Sequence, residues 1–479
     1  MEIATIIKTG FRRPATRFVT LALFVALVSA VVLFPRVKQT KFHGDESGWI
    51  SSGRYYTDLL SQGNFEWEKW ECKECGDWGS LNMQLGKLLI GIPLELDPQV
   101  RSQAFSRYYK FEASFEENVQ QGLVPPQETL TRARRASATF GVFCCVLVFA
   151  IGYCAYNAFA GVLSAVLLLC NRLFVNQATR AMTDVHYNFF LLCACLAVIF
   201  FVRASTKKNA LTMSAVCGVF AGLACAVKCT GIVIGTGLFV FALATQRIWF
   251  AKRSLKEILS LLGLFGLSAL IVVYVLNPYF WPSLPALSDP AAAQELRSYV
   301  SEAAESKSLP RQVRTRYPHF GTITRVLEFP HQFHRFKNFM SWAANTPLNS
   351  RPFDNRILSL NHDLFVRHLF PRAVWRAVLF LAVGICFVVG KWQPELSGLT
   401  DPARLVPLQW FLVNYLFILN FMILNWDRYY LPTVISAMPL MALGIYGTCL
   451  WLYRYLSAQW LKQSFILQKI TKVTKVDRG

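Results

Sequence analysis

The sequence predicts an all-α integral membrane protein with about ten transmembrane helices, on three observations. Its 479 residues are 54% hydrophobic and only 16% charged, against roughly 25% charged in soluble domains. Its mean hydropathy is +0.35, and 38 Phe and 13 Trp lie among long uncharged runs. Such surface is stable mainly in lipid. The formal charge of +21 would suggest a nucleic-acid partner in a soluble chain, but the charge is distributed as membrane topology distributes it, so no nucleic acid is expected. The 13 Cys do not form a secreted disulfide scaffold either. Most, such as Cys144, Cys145, Cys193 and Cys195, sit inside apolar runs, where Cys behaves as a small hydrophobe.

Taken in order, apolar runs lie near 18–34, 137–156, 158–176, 184–202, 210–227, 231–246, 258–280, 373–390, 405–425 and 431–453. Each approaches the ~20 residues that cross a bilayer core. The first follows Lys8, Arg12, Arg13 and Arg17 and runs into Pro35 and Arg36 with no small-residue cleavage site, so it reads as an uncleaved span rather than a signal peptide. The weakest pair is 210–227 and 231–246, divided by a short turn at Lys228.

Ten spans place both termini on one side. The short segments on that side (1–17, 203–209, 246–257, 391–404 and 454–479) are about twice as rich in Lys and Arg as the long loops 36–135 and 281–372. The positive-inside rule then assigns the termini to the cytoplasm and the two long loops to the outer face. The expected organisation is a cytoplasmic N-terminus and first helix (1–35), a first outer loop (36–135), six spans (136–280), a second outer loop (281–372), three spans (373–455) and a basic tail (456–479) resting on anionic lipid. The outer loops are too long to be mere connectors and are expected to bear short amphipathic helices.

Five polar clusters fall on that outer face. His43-Gly44-Asp45-Glu46-Ser47 lies just past the first span; Asp45 reads either as a helix N-cap or as a carboxylate facing a cleft. The segment Trp78–Pro93 is too short to span and too apolar for an ordinary loop. Its Lys87 is costly there unless it snorkels or meets an anion such as lipid phosphate. Asn171–Asp184 carries Arg180 and Asp184 at i,i+4, a local ion pair or part of a site. Lys228-Cys-Thr-Gly231 ends one span, and Asn425–Pro432, with Arg428 and Tyr429, opens the last. Each alone is explained by caps and snorkelling; five at one membrane level suggest one site for an anionic lipid headgroup. Cys72-Lys-Glu-Cys75 reads as a local disulfide or two free thiols, since no second Cys pair completes a zinc site. The basic loop 311–337 reads as an access surface or a solvated face.

These motifs, in this order, resemble the GT-C superfamily of polyprenyl-phosphate-sugar-dependent glycosyltransferases, especially protein O-mannosyltransferases and the lipid A aminoarabinose transferase. The resemblance rests on Asp45-Glu46, Gln84-Leu-Gly86-Lys87-Leu-Leu-Ile90, Arg134 with Ser137, Ala138 and Gly141, Arg180 with Asp184, Lys228-Cys229-Thr230-Gly231, Asn277 with Pro278 and Trp281, and Arg428–Pro432. The chain departs from the mannosyltransferases at Asn82-Met83-Gln84 and from the aminoarabinose transferase at Gly86.

The resemblance implies inverting transfer of a hexose or pentose from a polyprenyl (dolichyl or undecaprenyl) monophosphate to an acceptor hydroxyl on a protein or glycolipid. Asp45 would be the general base, with Glu46 beside it. Lys87, Arg134, Lys228 and Arg428 would hold the donor phosphate. Arg180, Asp184, His186 and Tyr429 would bind or orient substrate, although His186 also reads as an ordinary helix-end histidine. No cofactor is required, and Glu46 and Asp184 leave room for a divalent cation. The resemblance favours a bacterial inner membrane, with the endoplasmic reticulum as the other setting. From other classes, a flippase for an anionic lipid-linked sugar and a non-catalytic scaffold fit the same composition; Asp45 would have no task in the scaffold.

Overall fold

The computed structural model describes residues 14–65, 69–70, 83–102, 105–250, 253–278, 359–371, 373–390, 400–421 and 427–476. Among them there are helices and no strands. Hydrocarbon leaves the backbone no external hydrogen-bond partner, so an apolar run of this length satisfies its amides internally as a helix. Cys72, Cys75, Trp78, Asn82, Trp281, Asn425 and the basic loop 311–337 lie outside the described residues.

Helix α1 (Pro14–Arg36) shows most of its surface to lipid and buries only a strip, with Val25, Ser29 and Leu33, against the long helix α6. The first loop holds α2 (Asp45–Ser61), α3 (Gln84–Glu95), α4 (Pro98–Ser102) and α5 (Phe115–Gln120), in keeping with the short helices expected there. A reciprocal capping box between Ser114 and Glu117 starts α5. The bundle then runs through α6 (Gln127–Ala155), α7 (Ala158–Cys170), α8 (Arg172–Ala178), α9 (Asp184–Arg203), α10 (Lys207–Val227), α11 (Thr230–Ile248) and α12 (Leu255–Val275). After a π-helical turn at Asp363–Leu369 come α13 (Val374–Val389), α14 (Val406–Phe421) and α15 (Leu431–Val476).

Among the described residues, eight helices are long and apolar enough to cross a membrane, and ten if two bent pairs each count as one crossing. That range agrees with the expectation of about ten spans, and the two bent pairs add a feature the apolar runs do not show. The run 158–176 breaks by 75° between α7 and α8, because Asn171 ends one helix and caps the next. Its Oδ1 accepts from Phe174 N at 3.0 Å, while its Nδ2 donates to His368 O and Leu369 O at 2.8 and 2.6 Å. The run 373–390 is the second half of a pair bent by 102° whose first half begins at Ser359. That half lies in the stretch expected to be loop, yet Leu360, Leu364 and Leu369 are buried in the main core. The pair divided at Lys228 is two separate helices, as the sequence suggested.

Helices α2 and α3 cross at backbone contact. A Cβ on Gly91 would stand 2.1 Å from Gly53 O, and one on Gly53 would stand 2.8 Å from Lys87 O. Small residues let helices approach this closely. Gly91→Val should therefore drive α3 off α2 and cost about 1–3 kcal/mol or more. A melting temperature equal to wild type in detergent would show that the crossing tolerates the added bulk.

Candidate active site

One end of the bundle collects the start of α2, the turn between α8 and α9, the α10–α11 junction and the start of α15. Asp45 and Glu46 open α2, and both are buried. Asp45 is the first helical residue and makes no capping hydrogen bond; Gly44 holds the cap position. The N-cap reading of Asp45 is thereby set aside. Its carboxylate instead takes an ion pair from the Arg428 guanidinium, at the foot of α15. Arg428 also stands within electrostatic reach of Asp184.

Asp184 begins α9, and its Oδ1 accepts from Lys228 Nζ at 2.6 Å. The local Arg180–Asp184 pair is not what forms: the chain reverses between the two residues, and the α10–α11 junction delivers Lys228 to the carboxylate. Asp184 Oδ2 is buried and has no hydrogen-bond partner among the described residues. Burial lowers the Lys228 ammonium from its ordinary value, and the Asp184 carboxylate opposes that shift. Arg180 lies within electrostatic reach of Asp45 and Asp427, and its Nε has no hydrogen-bond partner among the described residues. Tyr429 is partly exposed, with its ring centre 5.8 Å from the Arg428 guanidinium carbon. Two carboxylates and three cations thus share one cluster.

His43 joins this cluster, although its place in the first motif assigned it no role. The Asp45 backbone amide donates to His43 Nδ1 at 3.3 Å, which leaves the ring proton on Nε2. Burial depresses its pKa despite the neighbouring Asp45, so the ring is neutral near pH 7.

Glu46 and Arg134 require correction. Arg134 Nε and Nη2 donate to Glu46 at 2.8 and 2.7 Å, while Nη1 donates to Val37 O and Thr40 O at 3.0 and 2.8 Å. Glu46 also accepts from Ala181 N at 2.8 Å and from His43 N at 3.0 Å. Their side chains are 0% and 2% exposed. A guanidinium with four of its five N–H groups committed in the interior has little to offer a donor phosphate. A carboxylate with both oxygens occupied likewise has little to offer a cation or an acceptor. The pair ties the exit of α1, the start of α2, α6 and the Ala181 turn together, and so holds Asp45 and Asp184 in one place.

Lys87 packs against α2 at Tyr56. It is fully buried, with Nζ 3.2 Å from Gln84 Oε1 and 4.5 Å from the centre of the Tyr56 ring. Its stem does not snorkel to a surface. Burial pulls its ammonium well below the usual lysine range, and the nearby Cys229 thiol opposes that. Gly86 lets α3 approach the turn before α9, since a Cβ there would stand 2.7 Å from the Thr183 methyl. His186 points into the core, with Nδ1 3.2 Å from Met182 O and its ring 4.5 Å from that of Phe140. No group of three or more His, Cys, Asp or Glu side chains able to hold a metal occurs among the described residues.

Residues 79–283 match the family described as dolichyl-phosphate-mannose-protein mannosyltransferase. No curated protein matches the chain. Among solved structures, the oligosaccharyltransferase AglB of the archaeon Archaeoglobus fulgidus, in complex with an inhibitory peptide and a dolichol-phosphate, is similar at a TM-score of 0.50 and 12% identity, over 94% of this chain and 52% of that one. ArnT from Cupriavidus metallidurans, bound to undecaprenyl phosphate, aligns at a TM-score of 0.34 and 15% identity, over 90% of this chain and 77% of that one. The chain spans about half the length of the oligosaccharyltransferase. In its helical fold and in the family match over 79–283, this chain resembles the GT-C glycosyltransferases.

Proposed function

We propose that the chain is a membrane glycosyltransferase that moves a sugar from a polyprenyl monophosphate to an acceptor hydroxyl on a protein or glycolipid, at the outer face of its membrane. The observation that carries this reading is the cluster itself: Asp45 paired with Arg428, and Asp184 paired with Lys228, at the membrane end of a helical bundle. Asp45 takes the acceptor proton as the hydroxyl oxygen attacks the anomeric carbon. The carbon–oxygen bond to phosphate breaks on the opposite side, inverting the configuration. A phosphate monoester is acidic enough to leave without a general acid, and preorganised cations stabilise its growing charge. Arg428 and Lys228 supply that charge, and the Arg428 guanidinium can meet two phosphate oxygens at once. Arg180 flanks them. Asp184, with one oxygen unfilled, orients acceptor or sugar hydroxyls. A mannosyltransferase-like hexose specificity follows the family match and not the geometry.

The reaction as drawn needs no metal, because the lysine and arginines carry the countercharge of a monophosphate. The test is a transfer assay with purified full-length protein, radiolabelled polyprenyl-phosphate mannose and a detergent extract of acceptor proteins and glycolipids, with and without EDTA. Labelled covalent product at equal rates in both arms is expected. Movement of the donor between vesicle leaflets with no product would replace the reading by a flippase. A rate lost to EDTA and restored by Mg²⁺ or Mn²⁺ would assign Asp184 to a cation.

A further inference from the structure

Helix α3 has two working faces. Lys87 and Gly91 turn toward α2 and the cluster. Leu89, Ile92 and Pro93 turn the other way and, with α6, line an open groove of about 340 Å³. From α6 the wall is formed by Arg132, Arg135 and Phe140, with Ala136 and Thr139 between them, a single stripe at i, i+3, i+4, i+7 and i+8.

The level of this cleft is set by α6, a spanning helix whose uncharged run begins at Ala136. Phe140 therefore lies in the apolar layer, and the two arginines lie at its surface. Phe143 and Ile92, 45% and 37% exposed, extend the apolar wall outward into lipid. Arg135 is exposed and has no partner among the described residues. The Arg132 side chain is 39% exposed, with Nε 3.4 Å from both Asp97 Oδ2 and Pro93 O, so its remaining N–H groups are available at the mouth. Snorkelling explains a lone arginine at a membrane surface. Two guanidiniums above a recessed apolar slot form a different arrangement, with the polarity of a phospholipid: phosphate above, acyl chain below.

We propose that this cleft binds one anionic phospholipid, its phosphate between Arg132 and Arg135 and an acyl chain in the slot running past Phe140 and Phe143. The occupant is a bulk phospholipid and not the polyprenyl carrier, because the cleft opens on the face of α3 opposite α2, the helix that carries Asp45. The bound lipid would brace α3 against α6 from outside. This site is independent of glycosyl transfer and stands or falls without it.

Native mass spectrometry of the detergent-solubilised full chain, titrated with phosphatidylglycerol, phosphatidylcholine or polyprenyl phosphate, tests the assignment. One tightly held phosphatidylglycerol is expected, preferred over phosphatidylcholine and not displaced by polyprenyl phosphate. Arg135→Gln removes the charge of an exposed side chain, and should weaken retention by about tenfold, the value of one charged hydrogen bond. Ala136→Trp fills the slot and should abolish retention. Equal retention in wild type and Arg135→Gln would overturn the proposal, whatever the folding of the tryptophan variant. So would equal binding of phosphatidylcholine, or displacement by polyprenyl phosphate.

Discussion

Asp45→Asn is expected to lower the transfer rate by about 10²–10⁴-fold, the usual contribution of a general base, while the protein still folds and inserts. The substitution keeps the shape of the side chain and removes the lone pair that takes the acceptor proton. It also removes the charge that Arg428 holds, so loss of rate alone would not separate a base from a clamp between α2 and α15. Melting temperature separates them. The Asp45 side chain is 12% exposed and its arginine 16%, and a partly solvated pair contributes modestly to stability. A base predicts a large loss of rate with a small shift in melting temperature. A clamp predicts both losses together, with Asp45→Glu restoring both. Full activity in Asp45→Asn would end the assignment.

Glu46→Gln should act the opposite way. It leaves the Arg134 guanidinium in the interior without a countercharge, a change that costs about 3–5 kcal/mol. The glutamine cannot accept at both oxygens, so it also drops a bond to one of Arg134, Ala181 N or His43 N. The expected result is poor expression or a large fall in apparent melting temperature, with activity lost as a consequence. Glu46→Asp, which keeps the charge but shortens the reach, should fall between the two. A Glu46→Gln protein with a wild-type melting temperature and no transfer activity would return Glu46 to the chemistry that its neighbour suggested.

The contrast between these adjacent residues shows where sequence reading stops. Neighbouring carboxylates at the start of α2 point about 100° apart on the helix, and nothing local says which one faces the cleft. The answer came from Arg134, 88 residues away on α6, whose guanidinium takes both Glu46 oxygens. Asp184 shows the same limit. Its i,i+4 neighbour Arg180 was the local partner on offer, but Lys228, 44 residues on, holds it. Lys87 was read as a surface or phosphate lysine because α3 is apolar; only the glycine crossing with α2 shows that it is sealed against Tyr56.

The class of fold and the number of apolar runs are legible in the residues alone. Lipid enforces both on any run of that composition, one helix at a time, without reference to the rest of the chain. The sequence also pointed to the polar residues at the turns between spans, where Asp45, Asp184, Lys228 and Arg428 meet. The tertiary structure alone decided which charge meets which, and which of two runs bends. Those outcomes depend on side chains brought within about 3 Å by packing, and hydrogen-bond energy falls away steeply outside that range. Asn171 looks like any helix-end asparagine until His368 and Leu369 present their carbonyls to it. Asp45 remains an acid beside an acid until Arg428, 383 residues later, is folded onto it.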